Sequence, residues 1–209
     1  NSVFANGPLQ LANGNIVSWL ESYNDNGRLE NLADLTFVND NLQKIFAKSN
    51  LNNLIDYNNL GLLGHSMGAM NLVDYLRKQN KLNIKATILM DPGNMLSYYV
   101  SQEHKTYIIE TPKVPTLLLW SANFKLNMHE SMALNKSDYE VILSPNLASE
   151  SNFTNHENFS DYSTLQYHAA FAQPKVSPDL NVGTGNGYEI ADMINDYILN
   201  FYNHYLYGK

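Results

Sequence analysis

The chain has 209 residues, of which 13 are basic and 20 acidic, giving a formal charge of −7, and 44% are hydrophobic. This predicts one domain over residues 1–209 with a substantial core. Arg28 and Arg77 are the only arginines, which excludes the basic stripe of a nucleic-acid groove. The absence of cysteine excludes disulfides, thiolate chemistry and cysteine metal sites, and leaves the redox compartment open.

Residues 1–27 are rich in Asn and Gly and read as an irregular lead-in, with a short helix expected over Ile16–Leu20. Asn1–Pro8 has neither a basic stretch nor an apolar secretory core, a pattern that a mature or trimmed chain shares. Apolar residues then recur at helical spacing through Leu32, Leu35, Val38, Leu42, Ile45 and Phe46, predicting a helix over 29–46. A polar loop, 47–59, leads to the strand Leu60–Leu63 and a helix running to about Gln79. Further strands are expected at Ile84–Met90, Pro115–Trp120 and Tyr139–Leu143, with a helical stretch around Glu130–Leu134. After a long loop over 144–155, a helix-like segment starts at His156. The chain closes on an amphipathic helix with Ile190, Met193, Ile194, Tyr197, Ile198, Phe201 and Tyr205 on one face. Strands alternating with helices imply an α/β fold, a mostly parallel sheet with helices on both faces. No apolar run approaches the roughly 20 residues of a membrane helix, so no transmembrane segment is expected. The 30 asparagines make the sequons at Asn135, Asn152 and Asn158 expected by chance.

One motif carries chemistry. Gly64-His65-Ser66-Met67-Gly68 joins the Leu60–Leu63 strand to the following helix. A G-x-S-x-G pentapeptide arises by chance in roughly one chain of this length in fifteen, so the strand–turn–helix context decides its meaning. In that context it reads as the nucleophile elbow of a serine hydrolase. Ser66 Oγ stands above the sheet edge, Gly64 and Gly68 relieve strand–helix collisions, and the Met67 N–H faces the substrate oxyanion. The bland alternative is a serine in a glycine-rich turn. His65, beside the nucleophile, cannot fold back as its base and reads as a packed elbow residue.

A serine hydroxyl needs a histidine to take its proton and a carboxylate to orient that histidine. Ligands of parallel sheets bind beyond the strands' carboxyl ends, so both partners are sought there. The strand ending at Trp120 runs into Ser121-Ala122-Asn123, with no carboxylate before Glu130, whereas Ile84–Met90 ends directly on Asp91. Asp91 is the candidate acid; its alternative role is an ordinary turn residue before Pro92. His104 and His129 precede the final strand, and His204 sits in the terminal helix. His156 and His168 both follow the final strand, and position alone leaves both open, with His156 ahead and His168 a candidate core residue.

Four segments resemble the α/β-hydrolase branch that contains the plasma-type platelet-activating-factor acetylhydrolases, bacterial lipases and chlorophyllase-like esterases. They are the arginine-led segment Gly27 through Leu42, the elbow Gly64–Gly68, the strand end Ile88-Leu89-Met90-Asp91-Pro92, and His156-Glu157-Asn158-Phe159-Ser160-Asp161-Tyr162, similar to an H-x-N-F-x-D segment. The closing Ile194–Gly208 helix is also similar. The resemblance covers about 27–209 and implies His156 as base and Asp91 as acid. A complete fold of that branch has four more strands before the elbow and a loop donating the second oxyanion N–H. Residues 1–59 leave no space for them, so the chain reads as the C-terminal half of an α/β-hydrolase. The rest is expected in an N-terminal polypeptide, from cleavage or truncation or as another chain.

The expected function is serine hydrolysis of carboxylic esters, small-molecule or lipid, through Ser66, His156 and Asp91, with Met67 at the oxyanion and no cofactor or metal. The same triad serves peptidases and thioesterases. The alternative from another class is a catalytically silent hydrolase-like subunit or binding domain.

Overall fold

The computed structural model describes residues 9–10, 16–17, 25–78, 83–92, 109–110, 112–123, 132–133, 138–143, 153–161, 164 and 182–209. Its centre is a parallel four-stranded sheet of β3 (Leu60–His65), β4 (Ile84–Met90), β6 (Thr116–Ser121) and β8 (Tyr139–Leu143), in spatial order β3-β4-β6-β8. The chain is an α/β protein. Two-residue strands form two further small sheets: β1 (Leu9–Gln10) pairs antiparallel with β2 (Ile16–Val17), and β5 (Ile109–Glu110) pairs parallel with β7 (Met132–Ala133). The helices are α1 (Asp25–Phe46), α2 (Met67–Lys78) and α3 (Gly187–Tyr207).

Side-chain alternation sorts the two faces. From β4 and β6, Leu89, Leu118 and Trp120 pack with Ala69, Met70, Leu72 and Val73 of α2, and Leu35 of α1 joins them. On the opposite face, Ala86, Ile88, Met90, Leu117 and Leu119 meet Ile190, Ile194 and Phe201 of α3. Every residue of β6 and all but one of β4 is buried, as expected of central strands covered on both sides. Each fully buried Leu or Ile contributes about 1.5–3 kcal/mol. Of the outer strands of this sheet, β3 alternates between half-buried and exposed over 60–63, whereas β8 passes from exposed at Tyr139 to buried at Leu143.

α3 begins where the Asn186 side chain accepts from the Tyr188 and Glu189 N–H groups, and ends at left-handed Gly208. Its Tyr202 hydroxyl donates to the Leu62 carbonyl at 2.6 Å. That contact requires Gly61, because a Cβ there would sit 2.5 Å from Tyr202 Cε1.

Three sequence expectations change. Ile16–Val17 forms a strand rather than the start of a helix, since these β-branched residues pair with Leu9–Gln10; 18–20 lie outside the described residues. Met132–Ala133, expected helical, pairs with β5, and strand pairing overrides local propensity there. Gly64 and Gly68 are not equivalent. A Cβ on Gly64 would lie 2.8 Å from Ala69 N and from the Gly68 carbonyl, whereas one on Gly68 meets nothing within 4 Å. Only Gly64 is required by the strand–helix packing. Gly64→Ala is therefore expected to cost about 1–3 kcal/mol of unfolding free energy. Gly68→Ala is expected to leave stability unchanged or raise it by up to about 1 kcal/mol. Urea denaturation of the two variants checks the contrast.

Candidate active site

The register of the parallel sheet ends its strands at one edge. His65 lies opposite Met90, Met90 opposite Leu119, and Ser121 opposite Leu143. The ladder runs one bond further, Ser66 N donating to Met90 O and Asp91 N to Leu119 O, each at 2.9 Å. Immediately there the chain turns. Ser66 has φ of 56° and Asp91 of 41°, left-handed conformations that cost a non-glycine residue about 1–2 kcal/mol. The Ser66 carbonyl accepts from Ala69 and Met70 N–H, so helix α2 starts directly behind the serine. Met67 is the first residue of that helix, where main-chain N–H groups lack intrahelical partners and the helix dipole favours an anion.

His156 arrives from beyond β8. It opens the 3₁₀ turn His156–Phe159, capped by reciprocal hydrogen bonds between Asn155 and Asn158. Asn158 Oδ1 accepts from Asn155 N at 2.6 Å and from Gly183 N at 2.8 Å, which ties the turn to the segment leading into α3. Thr154 anchors it to the sheet. Its hydroxyl donates to Leu143 O and accepts from Ala122 N, and its carbonyl accepts from Asn123 N.

The three side chains meet. His156 Nε2 lies 2.9 Å from Ser66 Oγ, and His156 Nδ1 lies 3.2 Å from Asp91 Oδ2. The His156 side chain is 20% exposed and that of Asp91 0%. A buried carboxylate is tolerated only when hydrogen-bonded. Asp91 accepts from the Ser121 N–H at Oδ1 (2.7 Å) and from the Ser121 hydroxyl at Oδ2 (2.6 Å). The arrangement suits proton removal from Ser66 Oγ by an imidazole whose far nitrogen is held by a carboxylate.

His65 lies against this array, its ring centroid 4.5 Å from that of His156 and 5.5 Å from that of Phe159. Burial, then positive charge at His156, pushes its imidazole down to about 4, against an opposing pull from the His156 main chain. It is packed beside His156, and its Nε2 is buried without a hydrogen-bond partner.

Ser66, Asp91 and His156 thus come together, with Met67 adjacent. His104, His129 and His168 lie outside the described residues, and His204 is exposed on α3. Sequence reasoning passed over Ser121, although its place at a strand's carboxyl end was the available signal. It also assigned no role to Thr154 or Asn158. Among the described residues no cluster of three His, Cys, Asp or Glu fits a metal ion, and no helix is long and apolar enough to cross a membrane. A cavity of about 280 Å³ between β8 and α3, lined by Leu117, Tyr139, Val141, Phe201, His204 and Tyr205 among others, lies toward the opposite strand ends and includes none of Ser66, Met67, Asp91 and His156.

In comparisons with known proteins, the chain matches no protein-family model and no curated protein.

The depressed His65 carries a pH signature. An unfolded chain protonates this imidazole near 6.5, while the folded protein keeps it neutral to about 4. The stability it contributes is present in full above pH 6.5 and lost as the pH falls toward 4. Replacing it, as in His65→Leu, is expected to flatten the decline of unfolding free energy between pH 6.5 and 4 relative to the parent. Denaturant titrations across that range measure the slope.

Proposed function

We propose that the protein is a serine hydrolase of carboxylic esters, of the α/β-hydrolase type that its sequence resembles. One observation carries the reading. Ser66 Oγ, the His156 imidazole and the buried Asp91 carboxylate form a continuous hydrogen-bonded chain at strand ends of a parallel sheet. His156 Nε2 takes the proton from Ser66 Oγ as that oxygen attacks the ester carbonyl. The Met67 N–H stabilises the oxyanion at the start of α2. His156 then returns the proton to the departing alcohol, leaving an acyl group on Ser66 Oγ. Water, activated by the same imidazole, releases the acid. Asp91 keeps the imidazole in the tautomer with its proton on Nδ1 and stabilises the imidazolium.

In this reading a fluorophosphonate probe modifies Ser66, as located by peptide mass spectrometry, and p-nitrophenyl acetate is turned over. Ser66→Ala abolishes both, and His156→Ala lowers both by about 10³-fold or more. A folded protein that labels nowhere, with any bound polypeptide retained, would instead be a silent hydrolase-like binding subunit.

The substrate is a small-molecule or lipid ester. A second oxyanion donor comes from an N-terminal polypeptide that pairs with β3. This part of the reading is supported by β3 ending the described sheet, with Leu63 45% exposed, since an exposed apolar edge strand invites further pairing. Native mass spectrometry of protein from its natural source is expected to find a mass above 23.7 kDa, from a longer chain or a bound partner. An active species of 23.7 kDa, with nothing bound, would refute the completing polypeptide.

A further inference from the structure

Ser121 closes β6 and is fully buried. It grips the Asp91 carboxylate at both oxygens, its N–H on Oδ1 at 2.7 Å and its hydroxyl on Oδ2 at 2.6 Å. His156 Nδ1 reaches the same Oδ2 at 3.2 Å, so the acid's shortest contact is with serine and not with histidine. Two donors from one residue fix the carboxylate plane, because any rotation about its last torsion breaks both bonds. The next two residues act on the base. Ala122 N donates to Thr154 Oγ1 at 2.8 Å and Asn123 N to Thr154 O at 3.1 Å, two residues before His156. One strand end therefore holds the acid directly and the base's loop through Thr154.

We propose that Ser121 is a positioning residue of the triad, and this rests on the hydrolase reading above. Its hydroxyl holds Asp91 Oδ2 where it accepts from His156 Nδ1. A hydroxyl that merely satisfies a buried carboxylate would alter stability and leave the rate alone. One that acts through Asp91 alters the rate only while Asp91 is present.

The test compares Ser121→Ala and Ser121→Cys with the parent and repeats Ser121→Ala in an Asp91→Ala background. The readouts are Ser66 labelling by a fluorophosphonate, kcat and KM for p-nitrophenyl acetate, and folding by circular dichroism. Cysteine leaves no cavity at the buried site and is a weak donor, so it carries the comparison if the alanine variant does not fold. Both variants are expected to lower the labelling rate and kcat about tenfold, the scale of one hydrogen bond to a charged group, with KM unchanged. In the Asp91→Ala background Ser121→Ala is expected to cost nothing more, as for residues acting as one unit. Folded variants that label at the parental rate, or losses that add in the Asp91→Ala background, would overturn the proposal. Failure of the parent to label Ser66 would overturn the hydrolase reading itself, which separates the two results.

Discussion

The Asp91 carboxylate has no contact with water, and that single condition organises one end of the molecule. A carboxylate taken out of water needs its lone pairs filled, at a cost of several kcal/mol otherwise. The donors are a strand-end N–H, a serine hydroxyl and an imidazole. They come from two places in the chain, Ser121 at the end of β6 and His156 from beyond β8. Satisfying Asp91 therefore draws those strand ends together, and the imidazole it holds points its other nitrogen at Ser66.

Parallel register makes this affordable. Neighbouring strands lie about 4.8 Å apart, so residues just beyond β3, β4 and β6 emerge side by side without long side chains. The turns there are strained, with Ser66 and Asp91 both at positive φ. Ladder bonds from Ser66 to Met90 and from Asp91 to Leu119 hold both turns, and the close packing at Gly64 holds the first. Two apolar faces beneath, one against α2 and one against α3, supply the burial that offsets the strain. His65 belongs to the same economy of space. Its ring packs beside that of His156, and burial favours its neutral form.

Much of the architecture was legible in local pattern. The largely apolar stretches of β4 and β6 read as buried strands because a strand covered on both faces carries apolar residues on both. α3 was legible because Ile190, Ile194 and Phe201 recur at a period that puts them on one face. Local pattern failed where pairing outweighed propensity. Met132–Ala133 reads as helical and pairs as a strand, and Ile16–Val17 joins a two-residue ribbon. Gly68 looks equivalent to Gly64 in the motif, but only a three-dimensional path shows that one faces the helix backbone and the other open space.

By itself the sequence determined the alternation of strands and helices, the G-x-S-x-G turn and the strand end carrying Asp91, because these follow from periodicity and from residue types adjacent along the chain. It left the base open between His156 and His168 on position, and it was silent on Ser121, Thr154 and Asn158. Only the tertiary structure decided that His156 spans Ser66 and Asp91, across sequence separations of 90 and 65 residues. It alone showed that a serine at the end of β6 hydrogen-bonds both oxygens of the Asp91 carboxylate. Hydrogen bonds between strand ends depend on register and on where loops return. Those are set by packing of the whole sheet, and no local stretch of residues encodes them.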